Sequence, residues 1–182
     1  NTPTPTSTLG LGKYAVEIAS GWDHTCVILN DGTVSCWGKG SNHRLGNGNL
    51  SNQLTPTPTS SLGVGRTAIE ISTGSLHTCV ILDNGSVSCW GDGLNGNLGN
   101  GAFADAPYPT PTNSLGVGRS AVAITSGAYH TCVILDNGSV SCWGDDTYGQ
   151  LGTGQMTYDG GGGHTSPNYN FSNSPVLTNS LG

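Results

Sequence analysis

HTCVILDNGSVSCWG runs from His77 to Gly91 and again, unchanged, from His130 to Gly144, and a close variant, HTCVILNDGTVSCWG, runs from His24 to Gly38. Each copy is a short β-branched run, a polar Asn/Asp-Gly turn and a second short run, which is the pattern of a tight hairpin. If Leu82 and Ser86 close a three-residue loop, Gly85 supplies the positive φ such loops need, and the register sets Cys79 opposite Cys89. Alternation outward from the turn places the two cysteines at a non-hydrogen-bonded pair, where side chains approach most closely. The same register sets Cys26 opposite Cys36 and Cys132 opposite Cys142. Three cross-strand disulfides are therefore expected, each closing a loop small enough to contribute about 2.8 kcal/mol by chain entropy. The alternative is buried free thiols. Zinc is not expected, because close C-x-x-C spacing is absent.

Outward from the hairpins the chain repeats. Leu9, Leu62 and Leu115 are equivalent, so the period is 53 residues. The expected units are 9–61, 62–114 and 115–180, with an inserted loop at about 155–175 in the third, around DGGGGHTSPNYN. Residues 1–8 read as a Thr/Pro connector and 181–182 as the start of a further repeat. AVEIAS, AIEIST and AVAITS alternate as strands do, and no segment sustains a 3.6-residue period. The TPTPT and PTPT runs read as stiff, extended connectors. The fold expected is all-β: three propeller-blade-like antiparallel repeats of about 53 residues. They form an open array, or part of a ring or filament that other chains complete, because unpaired end repeats leave adhesive edges.

Composition narrows the function. The 182 residues carry a formal net charge of −6, and the five basic residues are scattered, so no basic stripe exists for nucleic acid. No stretch approaches the roughly 18 apolar residues that span a bilayer, so membrane insertion is not expected. The opening NTPTPTSTLG shows no signal peptide, as for a mature chain or a fragment. Paired cysteines, low charge and Thr/Ser/Asn/Gly abundance point to an extracellular or cell-surface location.

VEIASGWDHTCVILNDGTVSCWG (Val16–Gly38) and YGQLGTG (Tyr148–Gly154) resemble the regulator of chromosome condensation repeat. The Gly-x-x-His-Thr step, the Asp/Asn-Gly turn, the Trp-Gly after a strand and the Gly-Gln-Leu-Gly stretch carry the likeness over nearly the whole chain. It implies a β-propeller in which each repeat is a four-stranded blade, usually about seven to a ring. Three units are too few to close such a ring. The family's nuclear founder is a guanine-nucleotide exchange factor bound to chromatin. No residue here matches that activity, and the acidic balance and paired cysteines argue against it.

No catalytic constellation is visible: no G-x-S-x-G elbow, no P-loop and no chooseable pair of carboxylates. No cofactor or metal is expected; Asp92, Asp145 and Asp146 lack the converging spacing of a calcium site. His24, His77 and His130 read as histidines bonded to a neighbouring backbone group. Trp37, Trp90 and Trp143 read as packing residues between blades. The variable aromatics Trp22, Tyr108, Tyr148 and Tyr158 are the candidate ligand contacts. Asn49, Asn84, Asn137 and Asn170 head N-x-S triplets and are candidate N-glycosylation sites. Thr2, Thr4, Thr6, Thr55, Thr57, Thr59, Thr110 and Thr112 lie in stalk-like Thr/Pro runs and are candidate O-glycosylation sites.

The function expected is that of an extracellular, non-enzymatic structural or interaction repeat protein. Its partners would be identical chains or neighbouring repeats, in the sharpest form as the protomer of a surface filament. A lectin- or adhesin-like propeller that binds glycans is the alternative, and an exchange-factor-like regulator stands behind it.

Overall fold

The computed structural model describes residues 8–154 and 171–178. These build three four-stranded antiparallel sheets, each a simple up-and-down meander in chain order. The first sheet holds β1 (Ala15–Ser20), β2 (His24–Leu29), β3 (Val34–Gly38) and β4 (Gln53–Pro58). The second holds β5 (Ala68–Thr73), β6 (His77–Leu82), β7 (Val87–Gly91) and β8 (Ala106–Pro111). The third holds β9 (Ala121–Ser126), β10 (His130–Leu135), β11 (Val140–Asp145) and β12 (Phe171–Leu177). A single 3₁₀ turn, Ser41–His43, interrupts the loop between β3 and β4.

The hairpin register is the one the cysteine spacing implies. Cys26 pairs with Cys36, Cys79 with Cys89 and Cys132 with Cys142, and all three pairs are disulfide-bonded across a Cα–Cα distance of 4.1 Å. That distance marks the narrow, non-hydrogen-bonded pair. Each turn is closed by an amide-to-carbonyl bond of 2.8 Å, from Leu29 to Thr33, Leu82 to Ser86 and Leu135 to Ser139. Gly32, Gly85 and Gly138 take φ of 75°, 75° and 81° at the left-handed position of the loop. Replacing Cys79 and Cys89 together by serine is expected to cost about 3 kcal/mol, read as a lower urea midpoint at an unchanged slope. An unchanged midpoint would show that the bridge adds nothing to the fold.

The Thr/Pro runs are extended, but they are not connectors between units. Gln53–Pro58 and Ala106–Pro111 are the fourth, outermost strands. Pro58 pairs with Ser35 and Pro111 with Ser88. Proline is tolerated because each lies in an edge strand with no further neighbour to receive an amide proton. In the third repeat the fourth strand begins at Phe171, inside the stretch expected to be an inserted loop. Residues 155–170, and with them Tyr158 and Asn170, lie outside the described residues, as do Thr2, Thr4 and Thr6.

The sheets stack face to face. One apolar layer sets Cys26, Ile28, Val34, Cys36 and Leu45 of the first sheet against Ala68, Ile71, Val80, Leu82 and Trp90 of the second. The other repeats the arrangement between the second sheet and the third. Among the described residues no such layer joins the third sheet to the first, so the array is open. All six residues of β6 are buried because its sheet is covered on both faces, which is why HTCVIL reads as an almost unbroken apolar run. The first strands of neighbouring sheets touch, as β1 does β5 and β5 does β9, so this is where the blades converge. A one-residue register slip recurs in each of these strands, next to Val16, Ile69 and Val122. It leaves those side chains more than half exposed, at 59, 58 and 56 %.

Candidate assembly interface

Each blade has a forward face toward the next repeat and a rear face toward the previous one. The same polar contacts join them at both junctions. The His24 ring Nε2 lies 2.9 Å from Thr78 Oγ1, and His77 Nε2 lies 2.9 Å from Thr131 Oγ1. The threonine hydroxyls donate to the backbone carbonyls of Arg44 (3.2 Å) and Asn97 (3.1 Å). A hydroxyl has one proton, so with that proton committed the imidazole must donate from Nε2. The expectation of a histidine bonded to backbone is thus corrected: the partner is a side chain of the next blade, and the backbone group comes one step later.

The same carbonyls accept a second bond. Trp90 Nε1 donates to Arg44 O at 3.0 Å and Trp143 Nε1 to Asn97 O at 2.9 Å. Both indoles are fully buried. They lie flat against Gly46 and Gly99, where a Cβ would come within 2.7 Å of the indole nitrogen. The glycine of the Leu-Gly step is therefore the seat of the next blade's tryptophan.

That tautomer leaves Nδ1 of His24 and His77 bare, buried and without a hydrogen-bond partner. Each ring sits on a glycine, Gly21 or Gly74, with no room beside it for a side chain. Burial lowers the His24 pKa to about 4, helped by the Arg44 charge. Burial lowers that of His77 to about 3, helped by the flanking histidines. His130 is only partly buried, and burial lowers it too, against the pull of Asp145 and Asp146.

A carboxylate adds a clamp that the sequence reading missed. Glu17 Oε1 accepts the Ile71 amide at 3.2 Å, and Glu70 Oε1 accepts the Ile124 amide at 3.0 Å. Burial pushes the Glu17 carboxyl up, and the Ile71 amide pulls it back. The signal was present, since Glu recurs 53 residues apart, but the third repeat breaks it with Ala123. Gly32 and Gly85 carbonyls complete each junction by accepting the amides of Ala68 and Ala121.

The two ends of the array carry the two halves of this contact. On the forward face of the third blade, Ile134 is 46 % exposed where Ile28 and Ile81 are buried. It lines an apolar depression of about 180 Å³ with Val140 and the Cys132 side of the bridge. His130 has no threonine across from it among the described residues. On the rear face of the first blade, Ile18 is 64 % exposed where Ile71 and Ile124 are buried. Ala15 is open and Trp37 only half-buried, while Val27 and Leu29 are already covered.

The other candidate residues do not converge. Trp22 is exposed in the β1–β2 turn, and Tyr148 in the loop after β11, at the same end of the blades but two blades apart. Tyr108, exposed on β8, packs its ring on Gly48 of the preceding blade. Asp92, Asp145 and Asp146 serve turns: Asp92 accepts the Leu94 amide, Asp145 the Thr147 amide and Asp146 the Leu151 amide. Asn49, Asn84 and Asn137 are exposed; Thr55 is exposed, and Thr57, Thr59, Thr110 and Thr112 are partly covered.

The sequence matches the Regulator of chromosome condensation (RCC1) repeat over residues 15–44, 68–97 and 121–150, and over 31–81 and 84–134. It is 34% identical over 155 residues to the ultraviolet-B receptor UVR8 of Arabidopsis thaliana, covering 85% of this chain and 34% of that protein. It is 32% identical over 145 residues to the E3 ubiquitin-protein ligase HERC2 of Homo sapiens, covering 79% of this chain and 3% of that protein. The chain thus spans only a fraction of these relatives. Among solved structures, human WBSCR16 superposes with a TM-score of 0.76 at 22% identity, over 93% of this chain and 39% of that one. Yeast RCC1 (Prp20), solved with Kap60, superposes with a TM-score of 0.72 at 17% identity, over 92% of this chain and 37% of that one. At such identities the superpositions speak for the fold alone.

Proposed function

The chain belongs to the regulator of chromosome condensation repeat family, and we propose that it is a non-catalytic, extracellular structural or interaction protein that joins identical chains through its end blades. The carrying observation is that one chain holds both halves of a contact it already makes twice. The forward face of the third blade offers Ile134, His130 and the carbonyl of Gln150, equivalent to Arg44 and Asn97. The rear face of the first offers Ile18, Thr25 and the indole of Trp37. A head-to-tail contact of that kind generates a ring, of two chains or more, if the rotation closes, and an open filament if it does not. The three disulfides support an oxidising compartment, and the low content of charged groups suits a surface polymer.

Negative-stain electron microscopy of the native material, with and without reductant, tests this reading. Regular fibres or rings are expected, lost on Ile134→Glu or Trp37→Ala while the circular dichroism spectrum stays that of the parent. Single three-blade particles at every concentration would overturn it. A second reading, a lectin-like glycan-binding propeller, draws on Trp22 and Tyr148, 69 and 71 % exposed on loops at one end of the blades. Single particles that bind a glycan array, and lose binding on Trp22→Ala, would favour it.

A further inference from the structure

We propose that Asn84 and Asn137 are acceptors for N-linked glycans, prepared for that chemistry by the turn that holds them. Both head an Asn-Gly-Ser triplet at the tip of a β-hairpin, and both are exposed. In each, the carboxamide oxygen accepts two bonds from the serine two residues on. Ser86 Oγ and N lie 2.7 and 3.2 Å from Asn84 Oδ1. Ser139 Oγ and N lie 2.7 and 3.1 Å from Asn137 Oδ1. Oδ1 is thus occupied, and the side-chain nitrogen Nδ2 is left facing water.

The fold does not ask for asparagine here. In the first blade Asp31 does the same work, its carboxylate accepting from Thr33 Oγ1 at 2.7 Å and from Thr33 N at 3.3 Å. An acceptor oxygen suffices to hold the turn, so the amide nitrogen in the other two blades is surplus to it. The two bonds to Oδ1 bear on that nitrogen: they draw electron density toward the oxygen and make the Nδ2 protons more acidic. Nδ2 can then attack the anomeric carbon of a lipid diphosphate-linked oligosaccharide. The N–C bond forms as the C–O bond to the diphosphate breaks, the lipid diphosphate leaves, and one Nδ2 proton passes to base. The turn spans three residues only, so it forms before the blades assemble, when an oligosaccharyltransferase would meet the chain.

The two tips differ in their surroundings. A Cβ on Gly85 would meet Ser120 of the third blade at 2.4 Å, whereas one on Gly138 would meet nothing within 4 Å. That difference arises only once the blades stack, so both asparagines are expected to be modified. Asn49 is built differently: its own amide donates to Asn47 Oδ1 at 3.0 Å, and it is not part of the proposal.

The test is secretion of the whole chain from a eukaryotic cell behind a cleavable leader. Peptide N-glycosidase treatment in heavy-oxygen water, followed by peptide mapping, then reads occupancy at each asparagine. Label at Asn137 and Asn84 is expected, with that at Asn137 lost in Ser139→Ala and kept in Ser139→Thr. Secreted, disulfide-bonded chain with no label at either asparagine would overturn the proposal. So would undiminished label at Asn137 in Ser139→Ala. The readout does not depend on whether the chains assemble.

Discussion

Replacing Trp90 by alanine is expected to destabilise the protein by about 3–5 kcal/mol, the usual range for emptying a buried tryptophan site. Trp90 is fully buried, its ring fills the layer between the first two blades, and its N–H donates to the Arg44 carbonyl at 3.0 Å. Alanine leaves a void against Gly46, and that carbonyl keeps only the bond from Thr78. Trp37→Ala is the control, because it removes the same residue from the same repeat position where no preceding blade covers it. It should cost less than half as much in the isolated chain. Urea melts of the two variants at equal concentration decide the matter. Equal losses would mean that the tryptophans stabilise their own blades and not the junctions.

Acidification from pH 7 to pH 5 should cost the fold about 4 kcal/mol through His24 and His77. The unfolded histidines titrate near their ordinary 6.5, while in the fold they titrate at about 4 and about 3. Between those values the unfolded chain binds more protons, so stability rises with pH and is lost on acidification below 6.5. Each histidine contributes about 2 kcal/mol over this window, since one pH unit of full linkage is about 1.4 kcal/mol. Burial raises the pKa of Glu17 and Asp92, and they act in the opposite sense only toward the acid end. Thermal or urea unfolding at both pH values reads the difference. His24→Gln and His77→Gln, which keep an N–H for the threonine, should each remove about half of it. A stability unchanged between pH 7 and pH 5 would place the protons elsewhere.

How much of this was legible in the sequence depended on whether a contact is local. The pairing of Cys79 with Cys89 follows from a turn three residues long, and there the spacing leaves one register. The fourth strands were hidden because prolines read as linker, and only the sheet reveals that they lie on an edge, where a missing amide proton matters little. The strand at Phe171–Leu177 was hidden by the extra residues before it. The junction was harder still. His24 and Thr78 are 54 residues apart, and they meet only because the repeats stack one period out of step. His24 beside its own Thr25 suggested a local role instead. Glu17 and Glu70 stand beside a register slip in plainly alternating strands, a pattern that does not tell that their carboxylates reach amides of the next blade.

The carbonyl that takes the indole proton belongs to Arg44 at one junction and to Asn97 at the other, two side chains with little in common, and Gln150 holds the same repeat position in the third blade. The partner blade bonds to the carbonyl oxygen there, which takes one proton from the threonine and one from the indole. A lock whose tumbler is main chain is indifferent to the letter written over it. The bonds between blades are therefore the same under different side chains, even where, as at Arg44 and Asn97, the side chain itself is buried. The buried Arg44 side chain serves its own loop, reaching back to Ser41 and Asn42 to brace it.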